Sequence, residues 1–406
     1  MSFNEARKLR CNGIYGTMLS YIFSLLIYRG YSKHIISFHK INFFAKNNIT
    51  AYYIAKASYL NGRYHNAKTI LQDLKKRVPE HAETTYLLSD LLLRLGDEKG
   101  AWHILEKLLL ISKRGKTWLK LANLVSTPDK YKELESLWQK HICKDKSLCT
   151  NAELYGYIAT AALRSKKYDS AISIWEEILQ KTISKELKVF KNNKSIFSSI
   201  AANDALLDLK IILDNEKISF FLISGTLLGC IRNGELLGHD KDIDIGVWSD
   251  VDQSKLINSI STSGLFEINA ARSKHSIRIK HVNGISIDIF LHYRESNNYW
   301  HGGVKLKWNN TPFELVKHTF LGKEFFIPKD YHLYLKENYG NWQEEKKDFD
   351  SAYDTPNSEI ISIHEMKVHT LKKLAIAYSY EYAPEIEKLN LELKLLFEFD
   401  KEKNHQ

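Results

Sequence analysis

Cysteine and proline are scarce in this chain, with four and six among 406 residues. Cys11, Cys143, Cys149 and Cys230 are scattered and form no Cys-x-x-Cys pair. That excludes a disulfide framework and a zinc finger and points to a reducing compartment. Six prolines and 19 glycines exclude a collagen-like or linker-dominated chain. Long apolar runs are also missing. The uncharged stretch Asn12–Tyr28 falls at the lower limit for crossing a bilayer. Arg29, Tyr31, Lys33 and His34 follow it in place of the small-residue cleavage site of a signal peptide. Basic residues before it (Arg7, Lys8, Arg10) and its mixed polarity suit a helix lying in the lipid interface, which makes residues 12–34 a candidate peripheral membrane contact. A first packed helix of the N-terminal domain is the other reading.

What is present is ordinary for a globular protein: 44% hydrophobic residues, 26% charged, and a length suggesting two or three domains. These proportions exclude wholesale disorder and a polytopic membrane protein. The net charge of +10 predicts attraction to something acidic, whether nucleic acid, anionic lipid or a phosphorylated substrate.

Between residues 49 and 190 the chain repeats. Gly62-Arg-Tyr64-His-Asn-Ala67 recurs as Gly96-Asp-Glu98-Lys-Gly-Ala101, with further copies centred on Tyr131 and Tyr168. Each copy carries two short amphipathic helices, and Ala55, Ala67, Ala101, Ala122 and Ala171 sit where paired helices must approach closely. The period, near 34 residues, resembles tetratricopeptide repeats, with Pro128 expected to interrupt the third copy. Stacked hairpins of this kind present a concave groove. The groove could hold a partner protein or a substrate, or simply support the next domain.

After residue 194 the texture changes. Ile218–Ser224 reads as a buried strand, Leu227–Arg232 as a helix behind the Gly225-Thr226 turn, and Asp242-Ile-Asp244-Ile-Gly246 as a second strand. Asn283-Gly284 between two β-prone runs predicts a two-residue hairpin. Asp242 and Asp244, two apart on a strand, share one face. Asp288 lies inside an apolar run, where a carboxylate needs a partner. Three such carboxylates across neighbouring strands suit Mg²⁺ or Mn²⁺, and the glycine turn offers backbone N–H groups to a phosphate. With a two-residue turn Asp288 faces Ile279, which turns Arg278 and Lys280 to the opposite face. His239, Trp300 and His301 are candidates to line the pocket, with a solvated loop as the plain alternative.

The segment FLISGTLLGCIRNGELLGHDKDIDIGVW followed by SIDIFLHY resembles the LicD/fukutin family of nucleotidyltransferase-fold phosphotransferases, its fukutin branch most. Trp300-His-Gly-Gly303, Phe325-Phe-Ile-Pro328 and Tyr334–Trp342 extend the resemblance, which covers roughly residues 205–357. It implies an α+β nucleotidyltransferase-like domain with a mixed sheet (195–357), which on the repeat pattern follows an all-α tetratricopeptide-like repeat domain (49–190). A helical segment (1–48) would precede them and a helical extension (358–406) would follow. It also implies a metal held by Asp242, Asp244 and Asp288, and donor phosphate held by Gly225, Thr226 and Arg232. The implied reaction moves ribitol phosphate, glycerol phosphate or phosphocholine from a CDP-linked donor to a hydroxyl of a surface glycan, lipid-linked or free. The family's Pro-Trp is replaced here by Gly238-His239, and the cysteines of zinc-bearing relatives are absent, so no zinc is expected. Donors of this kind are made in the cytosol, so a cytoplasmic protein loosely attached to the inner face of the membrane is expected. Nucleic acid would explain the charge but not the carboxylates, and is not an expected partner. A nucleotidyltransferase that attaches a whole NMP, and a repeat scaffold with a dead transferase domain, are the alternatives.

Overall fold

The structure is a computed structural model describing residue 9 and residues 13–37, 47–143, 151–189, 198–238, 242–270, 273–346 and 349–404. His239 lies outside the described residues. The chain divides into two compact units, Met1–Leu91 with Lys194–Glu359 and Leu92–Asn193 with Ile360–Gln406.

The repeating pattern appears as helices consecutive in the chain: Asn48–Leu60 and Tyr64–Arg77, Ala82–Arg94 and Glu98–Leu109, Gly115–Asn123 and Pro128–His141, and Ala152–Arg164 and Tyr168–Ile183; the first and last of these pairs pack as hairpins. Ala55, Ala67, Ala101, Ala122 and Ala171 are all buried, as close helix approach demands. Pro128 does not interrupt its copy. It sits in the first turn of a helix capped by the Thr127 hydroxyl, which accepts from Lys130 N. A missing N–H costs nothing there, because first-turn donors have no partner within the helix.

In the first unit the Gly13–Tyr28 helix lies against Asn48–Leu60. The Phe23 ring is 5.7 Å from that of Tyr53, whose hydroxyl meets Ser24 Oγ at 2.6 Å. Tyr15, Met18 and Ile22 remain exposed on its other side. The segment is therefore a packed helix that also keeps an apolar outer face. No helix among the described residues is long and apolar enough to cross a membrane.

The same unit holds a ten-stranded mixed sheet. Its strands are β1 (Phe221–Leu222), β2 (Asp242–Trp248), β3 (Phe266–Ile268), β4 (Ser276–His281), β5 (Ser286–Arg294), β6 (Tyr299–Gly302), β7 (Leu306–Asn310), β8 (Leu315–Phe320), β9 (Lys323–Pro328) and β10 (Ser358–Ile360). The order is β10-β7-β6-β5-β2-β1-β9-β8, with β4 pairing the first half of β5 and β3 pairing β4. The apolar run from Ile218 is buried as expected, but only Phe221 and Leu222 join the ladder. β2 and β5 run parallel in the middle of the sheet, and Ile243, Ile245, Val247, Ile287, Ile289 and Leu291 bury one of its faces. Alternation sends every intervening side chain to the other face.

In the second unit the Ile363–Ser379 and Ala383–Asn404 helices bury Leu371, Leu374, Leu389 and Leu396. The leucine periodicity of the C-terminal segment is spent on docking.

Candidate active site

The face left over by those isoleucines carries the acidic residues. Asp244 and Asp288 are direct cross-strand partners in the parallel β2–β5 ladder, and Asp242 stands opposite Ser286 two residues earlier. All three carboxylates thus project from one face, at the start of both strands. Asp242 and Asp244 are half-buried; the Asp288 side chain is 12% exposed.

The Ser224–Arg232 helix closes one side. It begins abruptly: Ser224 has φ +48°, a left-handed conformation uncommon outside glycine, and no side chain caps the first turn. Gly225 is half-buried in that turn. Thr226 is buried, and its Oγ1 accepts the Asp244 N–H at 2.8 Å, which pins the carboxylate strand to the helix start. Gly229 has a different role. A Cβ there would come within 2.6 Å of the Glu235 carbonyl, so the second glycine of Gly-Thr-Leu-Leu-Gly lets the helix sit on the turn after it. Arg232 is seven residues beyond Gly225, about 10 Å along the helix axis. Its Nε donates to Asn233 Oδ1 at 3.0 Å and its Nη1 to the Trp342 carbonyl at 3.3 Å. Of the expected phosphate residues, Gly225 and Thr226 stand at the helix start beside Asp244, and Arg232 stands at the far end.

The β4–β5 hairpin differs from its expected form. His281 N donates to the Ile285 carbonyl, so Val282, Asn283 and Gly284 form a three-residue loop, with Gly284 at φ +100°. The extra residue moves the register by one, and Arg278 rather than Ile279 opposes Asp288. The expectation that Arg278 and Lys280 turn away is thereby corrected. Lys280 pairs with Ser286 on the carboxylate face, and Arg278 grips Asp288 with two parallel hydrogen bonds, Nε to Oδ1 at 2.7 Å and Nη2 to Oδ2 at 2.6 Å. Its Nη2 is also 4.0 Å from Asp242 Oδ2. The bonds to Asp288 and the fields of all three carboxylates raise the Arg278 pKa against the cost of burial. Asp288 therefore has the partner that its apolar surroundings require.

That pairing also alters the expected metal centre. Among the described residues, no group of three or more His, Cys, Asp or Glu side chains is placed to hold one ion. Asp288 is gripped through both oxygens by Arg278, and the three carboxylates share a face without closing into a common donor set. A smaller set does fit. Asp242 and Asp244 are hard oxygen donors two apart on one face, and Mg²⁺ and Mn²⁺ are commonly held by one or two carboxylates with substrate phosphates and water supplying the rest.

Further along this face the site becomes aromatic. Gly246 has room only for hydrogen: a Cβ would lie 2.6 Å from the Phe221 ring and 2.8 Å from that of His292. His292 stacks on His301 at 4.3 Å, and burial pushes the His292 imidazole down to about 3. His301 is likewise held neutral, by burial and by its neighbour His292. It is a buried wall residue, whereas Trp300 stacks on Tyr293 and donates from Nε1 to Glu295. Tyr334 is buried, and burial, then Asp244 and Glu337, raise its phenol pKa. Its place in the Tyr-Leu-Lys-Glu-Asn-Tyr-Gly run was the only sequence signal that brought it near the site.

Residues 217–330 match the family model described as the LicD/FKTN/FKRP nucleotidyltransferase domain. The chain is 26% identical over 155 residues to the ribitol-5-phosphate transferase FKTN of Macaca fascicularis, covering 36% of this chain and 34% of that protein. It is 25% identical over 155 residues to the human protein of that name, with the same coverage. An uncharacterised Rickettsia prowazekii protein is 22% identical over 145 residues, covering 33% of this chain and 52% of its own length. The chain thus spans about a third of the length of the fukutin relatives it matches. The match encloses the glycine turn, all three aspartates and Arg278, and the segment that builds this site is a nucleotidyltransferase domain of the LicD/fukutin family.

Proposed function

We propose that this protein transfers a phosphorylated alcohol from a CDP-linked donor to a hydroxyl of a surface glycan and releases CMP. Ribitol phosphate, glycerol phosphate and phosphocholine are the candidate groups. One observation carries the reading: Asp244 and Asp288 are register partners on adjacent parallel strands, with Asp242 on the same face and the uncapped Gly225-Thr226 turn bonded to that strand. A cluster of carboxylates beside free backbone donors suits a polyanionic substrate brought in with a divalent cation.

In this reading Asp242 and Asp244 hold Mg²⁺ or Mn²⁺. The ion, when bound, offsets charge on the donor diphosphate. The chain's own residues do the remaining work. The N–H groups of the first helical turn, at Gly225 and Thr226, donate to a phosphate oxygen, and Thr226 keeps that turn in register with Asp244. The acceptor oxygen attacks the phosphorus that carries the alcohol. The new P–O bond forms as the bond to the CMP phosphate breaks, and the hydroxyl proton goes to Asp288 or to water. Asp288 can take part while held by Arg278, because each carboxylate oxygen has a second lone pair. Catalysis here is mainly positioning and charge neutralisation, as in phosphoryl transfer generally. Arg232 is proposed as a residue of the donor side only through its place in the motif; its hydrogen bonds hold the Trp342 loop.

A protein acting on lipid-linked or surface glycans works close to a membrane. The exposed Tyr15, Met18 and Ile22 of the Gly13–Tyr28 helix are its proposed peripheral contact. The groove of the hairpins is a proposed seat for the acceptor or a partner protein.

The test is CMP release from CDP-ribitol, CDP-glycerol and CDP-choline with Mg²⁺ and candidate glycans. Release that requires one donor and one acceptor supports the proposal. Pyrophosphate release from an NTP, with no CMP from any CDP-linked compound, would replace it with nucleotidyl transfer.

A further inference from the structure

We infer that Arg278 is the phosphate-receiving side chain of this site, oriented for that task by Asp288. The inference deepens the transfer reading above and rests on its placing a diphosphate at this face. Arg278 uses one edge of its guanidinium, Nε and Nη2, to grip both oxygens of Asp288. Nη1 makes no hydrogen bond among the described residues. The anchor is deep and the head is open: the Asp288 side chain is 12% exposed and that of Arg278 43%. An arginine fixed along one edge and open along the other has already lost most of its rotamer freedom, so a second anion binds at a lower entropic cost.

Charge leads to the same conclusion. Asp242, Asp244 and Asp288 place three negative charges on one face. Those charges repel an approaching diphosphate, and the Arg278 cation set among them lowers that repulsion together with a divalent ion. No other described cation is placed as well. Arg232 is tied to the Trp342 carbonyl, and Lys280, although on the same face opposite Ser286, is exposed and lacks a carboxylate anchor.

The experiment titrates inorganic pyrophosphate into the full chain loaded with Mn²⁺, after measuring Mn²⁺ affinity separately. Arg278→Gln is expected to weaken pyrophosphate binding by about tenfold or more, the usual scale for losing a charged hydrogen-bond partner, while Mn²⁺ affinity holds or rises. Arg278→Lys should fall between, since it keeps the charge but not the fork. Asp288→Asn should weaken pyrophosphate less than Arg278→Gln, because the guanidinium remains but is no longer held. Thermal melting reports whether each variant folds, and Arg278→Lys carries the test if Arg278→Gln does not. The inference is overturned if wild-type protein loaded with Mn²⁺ fails to bind pyrophosphate or if both Arg278 variants bind it normally. A loss of Mn²⁺ and pyrophosphate affinity in equal proportion also overturns it, since Arg278 would then act only through the carboxylates. Arg278-dependent pyrophosphate binding without turnover of any CDP-linked donor would sink the transfer reading and leave this inference standing.

Discussion

The helical hairpins and the central strands of the sheet both follow simple sequence periods but use them differently. In the hairpins a small residue such as Ala67, Ala101 or Ala171 marks where two helices touch, and its neighbours three and four positions away bury the same stripe. Burial is the whole role of such a position. In β2 and β5 the period is two, and it separates two roles: odd-numbered residues build the core, and even-numbered ones carry Asp242, Asp244 and Asp288. Stability and chemistry are therefore interleaved one residue apart in the strands, whereas at the closed helix contacts of the hairpins only stability is at stake.

The sharpest way to break this comparison is a pair of neighbours in β2. Asp244→Asn should reduce donor turnover by at least about 100-fold, the scale for removing one preorganised charge from a transfer site, with melting nearly unchanged. Ile245→Ala, one residue on and fully buried, should cost about 2–5 kcal/mol of stability, read by chemical denaturation. Its turnover per folded molecule should stay within a few-fold of wild type. If Asp244→Asn melts the protein, or Ile245→Ala abolishes turnover in folded molecules, the separation of roles fails.

His292 sharpens the comparison as the mixed case, an even-numbered residue that is nevertheless buried. Its imidazole is neutral in the fold, with its pKa pushed down to about 3, while the unfolded chain takes up a proton near the ordinary value of 6.5. The stability that depends on this neutral ring is present above about pH 6.5. It drains as pH falls toward 3, because the unfolded state then binds the extra proton. Denaturation midpoints should therefore fall between pH 6 and 4 more steeply for wild type than for His292→Phe.

Ala101→Leu tests the hairpins. Overpacking a closed helix contact should cost about 1–3 kcal/mol and leave the pyrophosphate affinity of the sheet domain as it was. Thr226→Val should have a stability effect of similar size, and it touches the site as well. Removing the oxygen that accepts the Asp244 N–H costs about 1–3 kcal/mol at most and lowers turnover modestly, through the position of Asp244 rather than through contact with substrate.

Much of the architecture was legible because it rests on local repetition. The spacing of Tyr64, Glu98, Tyr131 and Tyr168 marked the hairpins, and the alternation in Asp-Ile-Asp-Ile and Ser-Ile-Asp-Ile assigned faces to both strands before their pairing was known. Pro128 was misleading because its effect depends on where a helix starts, and the Thr127 cap decides that. Arg278 was missed for a related reason. Two- and three-residue loops both accommodate Asn-Gly, and choosing wrongly moves every side chain of β4 to the other face.

Sequence by itself thus determined the kinds of element, the acidic face and the glycine turn that serves it, since each follows from spacing along one segment. Tertiary structure decided which residue meets Asp288. Asn283 Nδ2 donates to the Ala201 carbonyl at 2.7 Å, and His281 Nε2 lies 3.1 Å from Asp208 Oδ2. Both ties run to the Ser199–Asn215 helix, some eighty residues earlier in the chain. They hold the loop in its three-residue form, and the register that delivers Arg278 to the carboxylates depends on a contact that no local pattern contains.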